Sequence, residues 1–118
     1  MRFYCTDDTV DLEQYPYHVR DVHISDPFIL ADPKSRCYYT YVQFADTERF
    51  PDVETDKEHG VFYVLESKDL IHWSKPQICF RQNNFWADKD YWAPEVHIWK
   101  GRYYLFSSFR ADGHYRKC

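Results

Sequence analysis

Two carboxylates beside prolines are the residues best suited to chemistry in this sequence. Asp26 precedes a proline in HISDPFIL, and Glu95 follows one in YWAPEVHIW, three residues after Trp92. A carboxylate that reaches water by hydrogen bond can act as a general base, and an indole ring can stack on the apolar face of a sugar. Taken singly, each acid is better explained without a site, Asp26 as a turn cap before the proline and Glu95 as a solvated side chain.

Both acids lie in copies of one repeat, and this favours a site. YYTYVQF at 38–44 and YYLFSSF at 103–109 share the pattern YYx[YF]xxF, and a proline precedes each copy. About four strand-like segments separate the copies, and a four-stranded meander at this period is typical of a β-propeller blade. The first strand of a blade lines the central channel, so Asp26 and Glu95 are predicted to face a ligand at the channel mouth. Because Asp26 precedes a proline, we expect it to be extended.

Strand patterns dominate the chain, and no segment of ten residues has a helical period, so the fold class is predicted to be all-β. One antiparallel four-stranded sheet is predicted from residues 26–30, 38–44, 61–66 and 72–80, and a second sheet begins with 95–99 and 103–109. Pro76 predicts an edge position for the fourth strand because proline donates no ladder hydrogen bond. Polar loops are predicted over 45–60 and 81–90.

Composition excludes several classes of partner. The net charge of the 118 residues is −4, and lysines and arginines form no run, so nucleic acid and anionic membrane are not expected as partners. Aromatic residues make up 20 % of the chain, which suits both strands and sugar binding. The four cysteines and six histidines show no metal-ligand spacing, so no metal or other cofactor is predicted. The start of the chain has no signal pattern and no run spans a membrane, so the protein as written is expected to be cytoplasmic. A secreted or periplasmic location stays open if the N-terminus is incomplete.

These stretches resemble glycoside hydrolase family 43, the five-bladed propeller enzymes that cleave arabinose- and xylose-containing polysaccharides. The resemblance is carried by the two proline-containing stretches, by YYTYVQF, by VLESKDLIHWSKP (64–76) and by the trailing FRADGHYRKC. The fourth of these is similar to the S-x-D-L-x-x-W-x-x-P segment that closes the first blade in the family. It implies the first one and three-quarter blades of a five-bladed propeller. Residues 23–80 would form blade 1, residues 81–118 a loop and an incomplete blade 2, and residues 1–22 have no assigned role.

The resemblance also implies roles for the candidate residues. Asp26 matches the general base of an inverting mechanism, and Trp92 and Glu95 match residues around the sugar. The general acid and the carboxylate that tunes its pKa belong to later blades of the family and are expected beyond Cys118. This predicts an N-terminal fragment that supplies the base only, is inactive alone, and self-associates through open sheet edges.

Two alternatives from other classes remain open. The first is a non-catalytic carbohydrate-binding propeller module that keeps the aromatic mouth without turnover. The second is a propeller-like interaction protein in which the aromatic residues only fill the core. A carbohydrate is the predicted partner in the enzyme and in the binding module.

Overall fold

The architecture consists almost entirely of strands, as the sequence predicts. A computed structural model describes residues 10–43, 47–48, 51–55, 61–83 and 85–118. The strands, in chain order, are β1 (Tyr17–His18), β2 (Phe28–Asp32), β3 (Cys37–Val42), β4 (Val61–Ser67), β5 (His72–Trp73), β6 (Gln77–Arg81), β7 (Lys89–Trp99) and β8 (Arg102–Arg110). The only helical element in these ranges is a 3-10 turn at Val19–Asp21. The prediction of an all-β class is confirmed.

Strands β1 to β6 form one antiparallel sheet in the order β1-β5-β4-β3-β2, and β6 also pairs with β4. β3 lies between its two neighbours, with Tyr39 opposite Leu30 on β2 and opposite Glu66 on β4. The predicted antiparallel arrangement of the first three long strands is confirmed. Phe44 and residues 45–46, 49–50 and 56–60 of the predicted loop lie outside the described part of the chain.

The prediction of one continuous fourth strand over residues 72–80 is wrong. The structure divides it into β5 and β6, which pair with different parts of β4. Between them, the Ser74 amide donates to the Glu66 carbonyl, and the Ser74 hydroxyl accepts from the Glu66 amide. Pro76 follows and has no N–H to donate to a ladder. The strand is interrupted there, and the ladder resumes at Gln77.

Part of the N-terminal segment, for which the sequence predicts no role, adds an edge to this sheet. β1 pairs antiparallel with β5, with Tyr17 opposite Trp73. Tyr15 is 1 % exposed, and its hydroxyl donates to the Glu66 carboxylate at 2.5 Å. Burial and this hydrogen bond both raise the pKa of Tyr15. The segment is therefore fixed to the outer side of the first sheet by a strand pair and by a buried side chain.

The stretch SKDLIHWSKP folds as a tight turn that leads from β4 into β5. The Asp69 carboxylate accepts the amides of Ile71 and His72 at 2.8 and 2.7 Å, and it lies 2.7 Å from the His72 ring nitrogen Nδ1. Burial raises the pKa of Asp69, but the hydrogen bonds from His72 and Ile71 outweigh it, and the net pKa is lowered. Leu70 is left-handed with φ 66, and its carbonyl accepts the indole N–H of Trp73. The hydrogen bonds of this stretch thus stabilise the turn between β4 and β5.

Strands β7 and β8 form a separate two-stranded sheet that begins earlier than predicted. β7 starts at Lys89 rather than at Glu95, so it includes the aromatic pair and shortens the predicted loop 81–90. Its register with β8 shifts between Lys89 and Trp92 and again between Trp92 and Glu95. Ala93, within the second irregularity, has φ 49. Bulges are among the positions at which a strand accommodates a proline, so β7 continues past Pro94.

An aromatic cluster joins the two sheets. Phe62 of β4 is fully buried, and its ring lies 6.0, 5.6 and 6.1 Å from the ring centroids of Phe80, Tyr91 and Phe109. Burial raises the pKa of Tyr91 to about 12. The residues that alternate with Phe62 along β4 form a second cluster on the opposite face of the sheet. Large buried rings dominate core energetics, so the aromatic cluster around Phe62 holds β7 against β4.

Candidate functional site

Asp26 lies exposed immediately before β2. Among the described residues, no hydrogen bond or ion pair engages its carboxylate. The expectation of an extended backbone is wrong, because Asp26 has φ 48. Aspartate tolerates the left-handed region better than most residues, and the turn there changes the direction of the chain as it enters β2. The carboxylate is open to water and to a ligand, a requirement for a general base.

Trp92 and Glu95 lie on one face of the second sheet, although their spacing suggests otherwise. Residues three apart on a regular strand point to opposite faces. The register shift between them changes this, because Trp92 pairs with Ser108 and Glu95 pairs with Phe106. The two partners are two residues apart on β8 and share a face. The structure therefore brings these two predicted residues to one surface, where Trp92 is 48 % exposed.

An open groove of about 510 Å³ runs along the same face. It is lined by a carboxylate, an imidazole and three aromatic rings, namely Glu95, His97, Trp99, Tyr104 and Phe106. Glu95 Oε1 lies 3.4 Å from His97 Nε2, and the His97 ring lies 5.8 Å from that of Phe106. Apolar surface with a few convergent polar groups is typical of ligand sites. Such a surface can stack on a sugar ring and bind its hydroxyl groups.

A ring contact connects the strand after Asp26 with this groove. The ring centroids of His97 and of Phe28, which lies two residues after Asp26, are 5.3 Å apart. His97 in turn pairs with Glu95. In the part of the chain that the structure describes, no hydrogen bond or ion pair joins Asp26 to Trp92 or to Glu95. The structure thus places β2, which begins two residues after Asp26, against β7 and the groove.

The far end of β2 is also bonded to the second sheet. Asp32, 1 % exposed, accepts a hydrogen bond of 2.6 Å from the Tyr103 hydroxyl. It also accepts from the Lys34 amide at 2.9 Å and from the Ser35 hydroxyl at 3.0 Å. Burial raises the pKa of this carboxyl, but these hydrogen bonds outweigh it and the net pKa is lowered. Because a buried carboxylate needs such partners, Asp32 fixes the position of β8 relative to β2.

Arg116 is a residue of this surface for which the sequence predicts no role. Its guanidinium carbon lies 3.7 Å from the centroid of the Trp92 ring. The same guanidinium donates to the Asp90 carbonyl, to Asp90 Oδ2 and to Ser108 Oγ, each at 3.2 Å. The one available signal is the trailing stretch FRADGHYRKC, which contributes to the family resemblance without indicating which of its residues approaches the site.

Three left-handed backbone positions lie near these residues. Six non-glycine residues in the described ranges have positive φ, and three of them are Asp26, Asp90 and Ala93. Asp90 and Ala93 flank the aromatic pair of β7. Residues held in sparsely populated backbone regions cost about 1–3 kcal/mol each and cluster at functional sites. Their location therefore supports a functional role for this end of β7.

Other kinds of site find less support. Within the described ranges, no group of three or more His, Cys, Asp or Glu side chains could hold a metal ion. Cys37, Cys79 and Cys118 are free thiols, and Cys5 lies outside the described residues. No helix in the described part of the chain is long and apolar enough to cross a membrane.

Comparison with known proteins identifies the family. The family described as Glycosyl hydrolases family 43 matches residues 18–117, which include every candidate residue of the site. The chain belongs to this family. No match is found among curated proteins.

The family 43 chain is also similar to a solved structure, that of an endo-arabinase from Bacteroides thetaiotaomicron VPI-5482. The two share 32 % sequence identity and superpose with a TM-score of 0.70. The similarity covers 86 % of this chain and 31 % of the endo-arabinase, so the chain spans about a third of that protein's length. This likeness confirms the prediction of an antiparallel family 43 propeller fold, represented here in part.

Proposed function

We propose that this family 43 chain acts in the hydrolysis of arabinose-containing polysaccharides, with Asp26 as the general base. The observation that carries the proposal is the Asp26 carboxylate, which is exposed and has no partner among the described residues. It lies at the head of a strand whose Phe28 packs against the groove of the second sheet. Family membership and the likeness to an endo-arabinase support the substrate class.

In the proposed reaction, the Asp26 carboxylate accepts a proton from a water molecule on one side of the sugar ring. The water oxygen forms a bond to the anomeric carbon while the bond to the leaving oxygen breaks, so the configuration inverts. A second carboxylic acid gives its proton to the leaving oxygen. In inverting enzymes the two carboxyl groups are about 6.5–9.5 Å apart, which leaves room for the water.

Glu95 is not assigned the role of proton donor. The family resemblance places that acid in a later blade, and Glu95 lies beside His97 in the groove. We propose that Glu95 binds sugar hydroxyl groups and that Trp92 provides a stacking surface. Both roles need accessible side chains, and both side chains are about half exposed.

The test is a comparison of turnover and binding in Asp26→Asn and Trp92→Ala. Asparagine keeps the size of the side chain and removes the proton acceptor. In the full-length enzyme, which includes the general acid, we expect kcat on an aryl arabinofuranoside to fall at least ~10²-fold with little change in sugar affinity. Trp92→Ala should weaken binding of arabino-oligosaccharides, because it removes a stacking surface. Asp52→Asn, at an exposed acid paired with Lys75 on the first sheet, is the matched control. Near-normal turnover in Asp26→Asn would contradict the base assignment.

A non-catalytic carbohydrate-binding role is the second candidate. It is favoured by the aromatic groove and the half-exposed Trp92 on one face of the second sheet, since a surface of this kind can bind a sugar without any proton acceptor. Calorimetry with arabino- and xylo-oligosaccharides distinguishes the two functions. A full-length wild-type protein that binds these sugars and turns over none of the corresponding aryl glycosides would be a binding module, and Asp26→Asn would then leave its only activity unchanged.

A further inference from the structure

We propose that Arg116 is a positioning residue that fixes the Trp92 indole as a one-sided platform for sugar. The inference rests on the proposed binding role of Trp92. The guanidinium carbon of Arg116 lies 3.7 Å from the centroid of the indole, well within the distance of a cation–π contact. Arg116 therefore covers one face of the ring. Because Trp92 is still 48 % exposed, the uncovered part of the ring remains open to a ligand.

Hydrogen bonds on both strands of the second sheet hold the guanidinium in this position. Ser108, which accepts from Arg116 Nη1 at 3.2 Å, is the cross-strand partner of Trp92. Asp90, two residues before Trp92, accepts from Nη1 through its carbonyl and from Nη2 through its carboxylate. A planar guanidinium with several fixed donors loses little further freedom when it stacks on a ring. These bonds therefore hold the Arg116 guanidinium against one face of the indole.

The backbone brings Arg116 to this position. Lys117 and Phe109 exchange two backbone hydrogen bonds of 2.7 and 3.0 Å, which returns the chain after β8 alongside that strand. On the other partner, the Trp92 carbonyl accepts the Ser107 hydroxyl at 2.5 Å. The backbone bridge of Lys117 therefore holds the chain beside Arg116, and a hydrogen bond to its own carbonyl holds Trp92. An ordered platform binds more tightly than a mobile one, because less side-chain entropy is lost on binding.

Asp90 allows the stacking contact to be separated from the general effect of positive charge. Its Oδ2 atom is also 2.8 Å from Arg110 Nε. Arg110 thus carries the same charge as Arg116 and contacts the same carboxylate, and among the described residues it makes no cation–π contact with Trp92. Arg110→Ala is consequently a matched control that perturbs the ion pair and leaves the covering of the indole intact.

The experiment measures sugar affinity and indole mobility in Arg116→Ala, Arg116→Lys and Arg110→Ala. Affinity for arabino-oligosaccharides and xylo-oligosaccharides is measured by calorimetry. The order of the Trp92 side chain is measured by NMR relaxation of its indole N–H, which is assigned with Trp92→Phe. We expect Arg116→Ala to weaken binding about 3- to 30-fold and to make the indole mobile. Arg116→Lys should restore part of the loss, and Arg110→Ala should remain within about twofold of wild type.

Two results would overturn the inference. One is an Arg116→Ala variant that remains folded and keeps both its affinity and its indole order. The other is an equal loss of affinity in Arg110→Ala, since that would assign the effect to the ion pairs of Asp90. If the wild-type protein binds neither sugar, the proposed function fails, and the indole relaxation of Arg116→Ala still decides whether Arg116 holds the ring.

Discussion

The hairpins β2–β3 and β7–β8 carry the same repeated pattern, and they differ in how far their side chains are buried. Tyr41 of β3 and Phe106 of β8 occupy corresponding positions, yet Tyr41 is 8 % exposed and Phe106 is 53 % exposed. β3 has β4 hydrogen-bonded along its second edge. In the described residues, the second edge of β8 has one backbone partner, through the bridge from Phe109 to Lys117. The same pattern is therefore buried in one hairpin and exposed in the other, so the pattern itself does not decide burial.

The two hairpins nevertheless share their backbone conformation at the start. Asp26 and Ala93 each precede a proline, and their φ angles are 48 and 49. Aligned on the prolines, Asp26 corresponds to Ala93, and Glu95 corresponds to Phe28. The two acids therefore occupy different positions of one repeated turn. The comparison indicates that the repeat provides a common frame and that each copy carries its acid at a different position relative to the proline.

The largest expected effect concerns the cluster that joins the two hairpins. Phe62→Ala removes a fully buried ring that packs against Tyr91 and Phe109 of the second sheet. We expect the free energy of unfolding to fall by about 3–5 kcal/mol, which corresponds to a drop in Tm of roughly 10–30 °C. Tyr115→Ala, at a side chain that is 92 % exposed, is the control in the same thermal melts. Similar Tm values for the two variants would show that this ring does not hold the sheets together.

A matched pair of substitutions tests the difference in burial directly. Tyr41→Ala empties a core position, and we expect a loss of about 3 kcal/mol in the free energy of unfolding. Phe106→Ala changes an exposed position on the groove, and we expect a loss below about 1 kcal/mol. Urea denaturation measures both. Equal losses, together with a larger mass in sedimentation, would mean that a second copy covers β8, as the predicted self-association requires.

A smaller loss than that of Tyr41→Ala is expected at the hydrogen bond between the hairpins at Asp32. Asp32→Asn should lower the free energy of unfolding at pH 7 by about 1.5–3 kcal/mol, because three donors lose a charged acceptor. Tyr103→Phe removes one of these donors and should cost about 1 kcal/mol. The pKa of Asp32 is lower in the folded protein than in the unfolded chain, so its contribution is present above about pH 4 and is lost as the pH falls through the folded pKa.

Denaturation curves from pH 7 to pH 2 check this sign. The difference between wild type and Asp32→Asn should shrink below about pH 4, where the unfolded chain begins to bind a proton. Asp112→Asn, at an exposed acid paired with Lys89, should change the curves little. A difference that stays constant down to pH 2 would contradict the assignment of a lowered pKa to Asp32.

The sequence by itself determined the strand class, the approximate bounds of β2, β3, β4 and β8, and the proline-adjacent residues worth considering. Strand signals are local, because alternation and aromatic content are read from consecutive residues. The YYx[YF]xxF pattern also revealed the repeat, which led to the propeller fold. Asp26, Trp92 and Glu95 could be selected because they stand at fixed places relative to that pattern.

Only the tertiary structure decided how these residues are arranged. The bulge at Ala93 brings Trp92 and Glu95 to one face, and a one-residue change of register reverses the face of a side chain. The contact of Arg116 with Trp92 joins residues 24 positions apart in the printed sequence. The pairing of β1 with β5 likewise crosses a long stretch of chain. Local patterns do not encode such contacts, because they depend on which strands pair and in which register.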